Sequence, residues 1–338
     1  MAGMPGSGRQ LGTATKIATT AGAFVAAGVA AKLLSNQQTE RRRLRRGEDV
    51  EFGSVRSATR KVVSADGIRI NVEVDEPEME MPRLPTIVFV HGVLCTLDTW
   101  HYQRLALRGT VRMVFMDHRS HGASDIADRE SSTIDNLAAD LRAVIEACTS
   151  GPVVLVGHSM GGMTIMQLAA DHPELFGDQL VGAMLISTSS HLPLVSNPAL
   201  RRLVPVARRI GPVLDWGRGF NSFSVVRHWG LGPNAQERHV DMTNEMVLRA
   251  PTRVITDFHP MFAGLDVRHA LETLSVVPTV VVGGTHDSVT PLSHSRRIAD
   301  DIAGSSLVIF EDVGHMAMFE EHVRVTELIL ELAEKTAP

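Results

Sequence analysis

The fold is decided by residues 153–162, which read VVLVGHSMGG. The first four residues are apolar and indicate a buried strand, whereas apolar residues at helical spacing follow Gly162. Between them, residues 157–161 match the pattern G-x-S-x-G. That pattern presents a nucleophilic serine when it joins a strand to a helix through a sharp turn. The sequence therefore predicts that Ser159 stands exposed at the carboxyl end of a strand.

The same turn predicts donors for an oxyanion. The glycines beside Ser159 leave room for a strained turn, and the N–H of Met160 would then point at a developing negative charge. A second donor is expected where the apolar strand 86–90 runs into His91-Gly92, because a glycine at that point lets the Val93 N–H face the site. Taken alone, His91-Gly92 is explained equally well as an ordinary strand-to-loop turn.

Length and composition bound the class of protein. The chain has 338 residues, of which 44% are hydrophobic, and this suits one large α/β domain with an insertion or two ordinary domains. The net charge of −5 gives no reason to expect a nucleic-acid partner. Two cysteines make no disulfide framework, so a reducing compartment is the simpler interpretation.

The first sixty residues form a basic leader on an acidic body. Residues 1–60 carry ten Lys/Arg against four Asp/Glu and contain an apolar stretch at 17–34. A signal peptide, a single membrane anchor and a soluble alanine-rich helix are the three interpretations of that stretch. The arginine-rich run 41–46 opposes export. We expect a protein on the cytoplasmic side; a membrane anchor and a soluble helix stay equally open for 17–34, and residues 35–60 are interpreted as a linker.

The body alternates strands and helices. Strand patterns occur at residues 61–64, 68–74, 86–90, 111–116, 153–156, 181–186, 279–282 and 306–310. Apolar residues recur at helical spacing in 133–148, after Gly162, and in 316–333. The first two strands are predicted to form a hairpin, and the alternation from Ile68 to Val74 predicts that one of its faces is wet.

Residues 191–266 interrupt this alternation and are predicted to form an inserted helical cap. The segment is rich in proline and holds six of the fifteen aromatic residues. An apolar pocket over the site is one interpretation, and a small core of the cap itself is the other. The candidate pocket residues are Trp216, Phe220, Phe223, Trp229, Met261 and Phe262.

Three residues at predicted strand ends suggest nucleophilic catalysis. Ser159, Asp287 and His315 each follow such an end, and in an open α/β sheet those ends share one edge. A serine hydroxyl needs a base, which His315 supplies near neutral pH. Asp287 would hold the imidazole tautomer and stabilise the imidazolium. The chain order serine, aspartate, histidine is the order that this type of sheet uses.

Neighbouring polar residues offer alternatives. Asp312 is a rival acid, but it would share a short turn with His315, so Asp287 is preferred. Cys95 lies in a loop near the site, and no partner pattern supports a thiol nucleophile there. The loop after 111–116 contains Asp117, His118 and His121. Their spacing lacks further metal ligands, so we expect an arginine and a histidine to brace this loop and expect no metal.

Together these motifs resemble those of the α/β-hydrolase superfamily over residues 60 to 335. The resemblance implies an α/β fold, with a mostly parallel eight-stranded sheet flanked by helices and an inserted helical cap. The core would comprise 61–190 and 267–338, and the cap 191–266. It also implies that Ser159, Asp287 and His315 are nucleophile, acid and base. The motifs that carry it are His91-Gly92, 117–125, 157–162, 284–287 and 314–315.

The resemblance favours a serine hydrolase and disfavours two branches of the superfamily. Epoxide hydrolases and haloalkane dehalogenases use aspartate where Ser159 stands, and the sole tyrosine, Tyr102, lies outside the cap. We expect hydrolysis of an ester or thioester of a small hydrophobic acyl substrate. Carbon–carbon bond hydrolysis, cofactor-free haloperoxidase chemistry and a non-catalytic binding role are the alternatives. No nucleotide, flavin or metal motif is visible, so no cofactor is expected.

Overall fold

A computed structural model describes residues 50–78, 84–192 and 222–338. The predicted leader helix 17–34 and the candidate pocket residues Trp216 and Phe220 lie outside these ranges. Within them, every helix is too short or too polar to cross a bilayer.

Eight strands form one sheet, as predicted, in the order β1-β2-β4-β3-β5-β6-β7-β8. The pairs β1/β2 and β2/β4 are antiparallel, and the other five pairs are parallel. The strands are β1 Thr59–Val63, β2 Arg69–Asp75, β3 Thr86–Val90, β4 Met113–Met116, β5 Val153–His158, β6 Leu180–Ile186, β7 Thr279–Gly284 and β8 Ser306–Phe310. The carboxyl ends of β3 to β8 therefore lie along the same edge.

The helices of the described residues pack on both faces of the sheet. They are α1 His101–Leu107, α2 Ile134–Cys148, α3 Met160–Asp171, α4 Ser222–Trp229, α5 Glu237–Arg249, α6 Thr252–Gly264, α7 Leu271–Leu274, α8 Leu292–Asp301, α9 Ala317–Glu320 and α10 His322–Lys335. Helix α2 begins where Thr133 accepts a hydrogen bond from the Asn136 N–H through its side chain. The predicted tail helix is split at Glu321, where φ is −119°.

The alternation along the strands divides the core into two apolar clusters. On β3, Val88 and Val90 join one cluster, whereas Ile87 and Phe89 join the other. Helices α2, α3 and α8 cover the first face, and α1, α9 and α10 cover the second. Every residue of β3 is buried, so its continuous apolar pattern reflects a strand covered on both sides.

The predicted wet face of the first hairpin is wrong. Asn71, Glu73 and Asp75 of β2 are buried: Arg104 of α1 covers the two carboxylates, and Asn71 donates to Asp117. The Arg104 guanidinium donates hydrogen bonds to Glu73 Oε2 at 2.7 Å and to both oxygens of Asp75, at 2.8 and 2.6 Å. The polar alternation therefore records a buried ion-pair network instead of a solvent-facing surface.

The folded part also begins earlier than the charge pattern suggested. Phe52 is 8% exposed and packs edge-on against Phe319, with ring centroids 6.1 Å apart. Arg56 pairs with Asp98 at 2.8 Å. These contacts attach residues that were assigned to the linker to the body of the protein.

Candidate active site

Ser159 occupies the sharp turn between β5 and α3. Its φ of 53° and ψ of −117° lie in a region that residues with a Cβ rarely adopt. The neighbouring backbone holds this conformation: the Ser159 N–H donates to Ile186 O at 2.9 Å, and Ser159 O accepts from the Thr188 hydroxyl at 2.7 Å. Strain that several hydrogen bonds enforce is characteristic of functional turns.

Two glycines allow the close approaches that this turn requires. A Cβ on Gly161 would lie 2.1 Å from the carbonyl oxygen of Val90, at the end of the neighbouring strand. A Cβ on Gly92 would lie 2.8 Å from His158 Nδ1 and 3.0 Å from the Cβ of Ser159. Side chains at either position would push the β3 loop away from Ser159.

His315 and Asp287, which follow β8 and β7, are in contact. His315 Nδ1 lies 2.9 Å from Asp287 Oδ2, and both residues are buried. Asp287 Oδ1 accepts from the N–H groups of Val289 and Thr290, at 2.9 and 2.8 Å. Because the carboxylate oxygen accepts from Nδ1–H, the imidazole keeps Nε2 free to act as a base.

The surroundings of Asp287 keep it ionised. Burial alone would raise the pKa of its carboxyl, but the charge and hydrogen bond of His315 and the hydrogen bonds from Thr290 outweigh burial and lower it. Thr290 Oγ1 donates to Asp287 Oδ2 at 2.9 Å and lies 3.3 Å from His315 Nδ1. The sequence analysis missed Thr290, although its position three residues after an aspartate is typical of a side-chain-capped turn.

His158 links the serine turn to the histidine loop. Its Nε2 lies 3.0 Å from His315 O, and the two imidazole rings are 4.7 Å apart. Burial lowers the pKa of His158 well below its usual value, so the ring is neutral and donates Nε2–H to that carbonyl. This contact fixes the backbone of His315 beside the residue that precedes Ser159.

The peptide between Gly92 and Val93 is held in one orientation. His91 Nε2 accepts from the His118 N–H at 3.0 Å, so the neutral ring carries its proton on Nδ1 and donates it to Gly92 O at 2.7 Å. Gly92 O also accepts from the Cys95 N–H at 3.2 Å. A peptide N–H points opposite to its carbonyl, so the Val93 N–H faces away from these partners. Among the described residues, nothing accepts a hydrogen bond from it.

Met160, whose N–H is the second predicted donor, is the first residue of α3. No group among the described residues accepts a hydrogen bond from this N–H. The first amides of a helix carry partial positive charge. The side chains of Val93 and Met160 pack in an apolar cluster with Leu94, Ile134, Leu137, Val254, Phe258, Met261 and Phe262. Two candidate pocket residues of α6 therefore pack beside the predicted oxyanion donors.

The other candidate pocket residues behave differently. Trp229 is 55% exposed and contacts the ring of His228, so the structure places it on the surface and not in this cluster. Phe223 is half-buried against the face of the core formed by α1, α9 and α10. Neither residue packs within the cluster around Met160.

The loop after β4 is braced as expected. Arg119 is fully buried and donates to Asp140 and Asp66, each at 2.7 Å. Asp117 accepts from the Leu97 N–H at 2.8 Å and from Asn71 Nδ2 at 3.0 Å. Across the described ranges, no group of three or more His, Cys, Asp or Glu side chains has an arrangement that could hold a metal ion.

Two alternatives from the sequence lose support. Cys95 is buried, and burial raises the pKa of its thiol to about 11, so the reactive thiolate is scarce at neutral pH. The carboxylate of Asp312 lies 3.5 Å from His286 and 3.2 Å from Asn234 Nδ2, whereas His315 contacts Asp287.

A half-buried carboxylate that the sequence analysis missed joins the histidine loop to the predicted cap. Glu320 accepts from the Gly314 N–H at 3.0 Å through one oxygen and from the Gly232 N–H at 2.8 Å through the other. The His315 N–H donates to Gly230 O at 3.0 Å. The chain segment after α4 is thus tied to the backbone of His315.

Comparisons with known proteins agree with this fold. A sequence model described as "Alpha/beta hydrolase family" matches residues 87–328, more than half of the chain. An uncharacterized protein of Mycobacterium tuberculosis is 26% identical over 273 residues, covering 75% of this chain and 76% of the relative. The 3-oxoadipate enol-lactonase 1 of Acinetobacter baylyi is 24% identical and covers 77% and 91%. A thermophilic esterase from Thermogutta terrifontis superposes with a TM-score of 0.68 at 24% identity, covering 83% and 100%.

Proposed function

This chain belongs to the α/β hydrolase family, and from that premise we propose that it is a serine hydrolase of esters or thioesters with a hydrophobic acyl group. One observation carries the proposal. Ser159 stands on a strained turn at the sheet edge where Asp287 holds His315 at 2.9 Å through Nδ1. That arrangement leaves Nε2 to take a proton from a hydroxyl at the same edge.

The proposed reaction has two halves. In the first, the Ser159 hydroxyl attacks the acyl carbonyl while His315 takes its proton, and the proton then passes to the leaving alcohol or thiol. In the second, His315 removes a proton from water, which attacks the acyl-enzyme, and His315 then returns the proton to the departing Ser159 oxygen as the acid is released. Asp287, ionised and buried, stabilises the imidazolium in both halves. The amides of Val93 and Met160 would hold the oxyanion.

The substrate class follows from the residues around those amides. Met261 and Phe262 pack against Met160 and Val93, so an acyl chain entering beside the oxyanion would meet apolar side chains. An esterase and an enol-lactonase are among the proteins that this chain resembles. Both are named as enzymes that act on ester-type bonds, which supports the same chemistry here.

Turnover of a p-nitrophenyl ester series tests the proposal. We expect hydrolysis by the wild-type chain, with an optimum at an intermediate acyl length. Ser159→Ala should lower kcat on the order of a millionfold if the three residues act as a unit. Ser187→Ala is the matched control, because Ser187 is also buried with positive φ at the end of the neighbouring strand.

The two variants separate the outcomes. Loss of turnover in Ser159→Ala and its retention in Ser187→Ala support the proposal, whereas full turnover by Ser159→Ala contradicts it. Diketone and peroxide substrates, assayed side by side with the esters, show whether the same residues instead cleave carbon–carbon bonds or form peracids.

A further inference from the structure

A cavity that opens to solvent lies at the same sheet edge as Ser159, outside the groups used above. Its volume is about 200 Å³, and Ser190, His191, Ser293, His294 and Arg297 line it. The first two residues follow β6, and the other three belong to α8. None of these five lining residues is acidic, whereas three of them are cationic or become cationic on protonation.

The cavity is connected to the proposed nucleophile by a short path. Thr188, two residues before Ser190, donates its hydroxyl hydrogen to Ser159 O at 2.7 Å. In the sheet, β6 lies between β5, which Ser159 follows, and β7, which Asp287 follows. A ligand group in the cavity would therefore sit beside the proposed site for acyl transfer, at the edge where such sheets bind ligands.

Hydrogen bonds fix one of the imidazoles. The buried hydroxyl of Ser189 donates its single hydrogen to His191 O at 2.5 Å. His294 Nδ1 lies 2.6 Å from the same hydroxyl oxygen and must therefore be the donor in that contact. The ring of His294 is thus held in one orientation with Nδ1 protonated, and protonation of its Nε2 would make it a cation.

Of the five lining residues, Arg297 is the one that is always cationic. Burial, together with the charges of His191 and Arg297, lowers the pKa of His294. Two carboxylates lie near the histidines: Asp266 pairs with Arg268 at 2.5 Å and also interacts with His191, and Asp287 pairs with His315 at 2.9 Å and opposes the fall in the pKa of His294. An anion in the cavity would pair with the Arg297 guanidinium and would accept hydrogen bonds from it and from the serine hydroxyls.

We propose that this cavity is a subsite for an anionic group of the substrate, so that the enzyme prefers esters that carry a carboxylate distant from the scissile bond. The inference rests on the proposed hydrolase function and specifies its substrate class. The carboxylate belongs either to the acyl part or to the alcohol part of the ester, and matched substrates distinguish the two.

The experiment compares acids with neutral isosteres on the full chain. On the acyl side, mono-p-nitrophenyl glutarate, adipate and suberate are assayed against the corresponding ω-carboxamides. On the alcohol side, 4-butyryloxybenzoate is assayed against 4-butyryloxybenzamide. In one of the two comparisons, we expect kcat/KM for the acid to be well above kcat/KM for the matching amide. The acid should differ from the amide mainly by a lower KM. The comparison that shows the preference identifies whether the carboxylate belongs to the acyl or the alcohol part of the ester. If it is the acyl part, the optimal chain length measures the distance from Ser159 to the cavity.

Variants of α8 connect the ratio of kcat/KM, acid over amide, to the cavity. Arg297→Gln should lower the acid-over-amide ratio about fivefold, and Arg297→Lys should restore most of it, because charge is what the subsite supplies. Arg296→Gln is the matched control, since Arg296 is exposed on the same helix and does not line the cavity. A wild-type ratio of one or below in both comparisons, or a ratio that Arg297→Gln leaves unchanged, overturns the inference.

A binding measurement keeps the two proposals distinguishable. Glutarate binding is measured by calorimetry in the wild-type chain and in Arg297→Gln, without any turnover. Binding that weakens in Arg297→Gln supports the subsite even if no ester is hydrolysed, in which case only the hydrolase proposal fails. Ester turnover without glutarate binding, and without preference for acids, retains the hydrolase and removes the subsite.

Discussion

Thr290 touches both members of the Asp287–His315 pair, and its contribution can be measured separately. Its hydroxyl donates a hydrogen bond to Asp287 Oδ2 at 2.9 Å. Thr290→Val should lower kcat/KM roughly tenfold, because a hydrogen bond to a buried charge contributes about 1.5–3 kcal/mol and part of it is retained by the backbone donors. Steady-state kinetics measure the loss, and Thr290→Ser should restore most of the activity. Equal activity in Thr290→Val and the wild type would contradict this role.

Glu320 provides a second prediction at the same scale. Burial raises the pKa of its carboxyl to about 7, despite the hydrogen bonds from Gly232 and Gly314. The unfolded chain ionises it near 4.5, so the folded state binds the proton more tightly, and the stability that this carboxyl contributes is lost as pH rises from about 4.5 to 7. Glu320→Gln should remove this dependence. Urea unfolding at several pH values measures it, with Glu321→Gln as the exposed neighbouring control.

Some residues of the candidate site could be predicted from the sequence, and others could not. Residue type at a strand end was enough to single out Asp287 and His315, and the structure brings their side chains into contact. Thr290 was missed because its residue type does not show that its hydroxyl bonds Asp287 in the folded turn. Glu320 was missed because its partners, the N–H groups of Gly232 and Gly314, are brought to it by the packing of separate segments.

At the scale of elements, β2 shows what alternation cannot tell. A period of two predicted correctly that Glu73 and Asp75 share a face with each other, but it does not say what covers that face. Arg104 of α1 covers it and pairs with both carboxylates. Arg104 lies on a different element about thirty residues further along the chain, so no local sequence pattern predicts this contact.

Arg104 is accordingly expected to stabilise the antiparallel edge of the sheet strongly. Arg104→Met should lower the free energy of unfolding by about 3–5 kcal/mol, because two buried carboxylates would lose their partner. Arg324→Gln is the control, since Arg324 makes exposed pairs with Glu327 and Glu331 on α10 and should cost less than about 1 kcal/mol. Urea unfolding compares the two, and similar losses in both variants would show that the buried network contributes little.

At the scale of the whole molecule, four buried histidines lie beneath the proposed site. Burial lowers the pKa of His91 to about 4 and of His121 to about 3, and lowers those of His118 and His158 well below the usual value. The unfolded chain protonates them near 6.5 while the folded chain does not, so stability should fall as pH drops below about 6.5.

The size of that fall is set by the number of neutral rings. Each contributes up to about 1.4 kcal/mol per pH unit below 6.5 and above its own folded pKa. Chemical unfolding between pH 7 and pH 5 measures the slope, and His121→Asn should reduce it. A free energy of unfolding that stays constant over this range would mean that the histidines titrate normally in the folded protein.

The overall architecture was predictable because the strands are continuous and apolar. The eight-stranded, mostly parallel sheet follows from them and from the motifs at their carboxyl ends. The start of the folded part was not predictable, because Phe52 and Arg56 sit in a charged stretch and are recruited only by contacts with Phe319 and Asp98. Trp229 shows the same limit, since an aromatic residue in the predicted cap turned out to be exposed.

The most direct test of the central claim is to treat the full chain with a fluorophosphonate and to locate the adduct by mass spectrometry. The predicted result is one adduct on Ser159, absent from Ser159→Ala and retained in Ser187→Ala. It should form far more slowly in His315→Ala, because the hydroxyl then lacks its base. A folded protein that acquires no adduct on Ser159, or that is labelled equally in Ser159→Ala, would contradict the claim that Ser159 is the nucleophile.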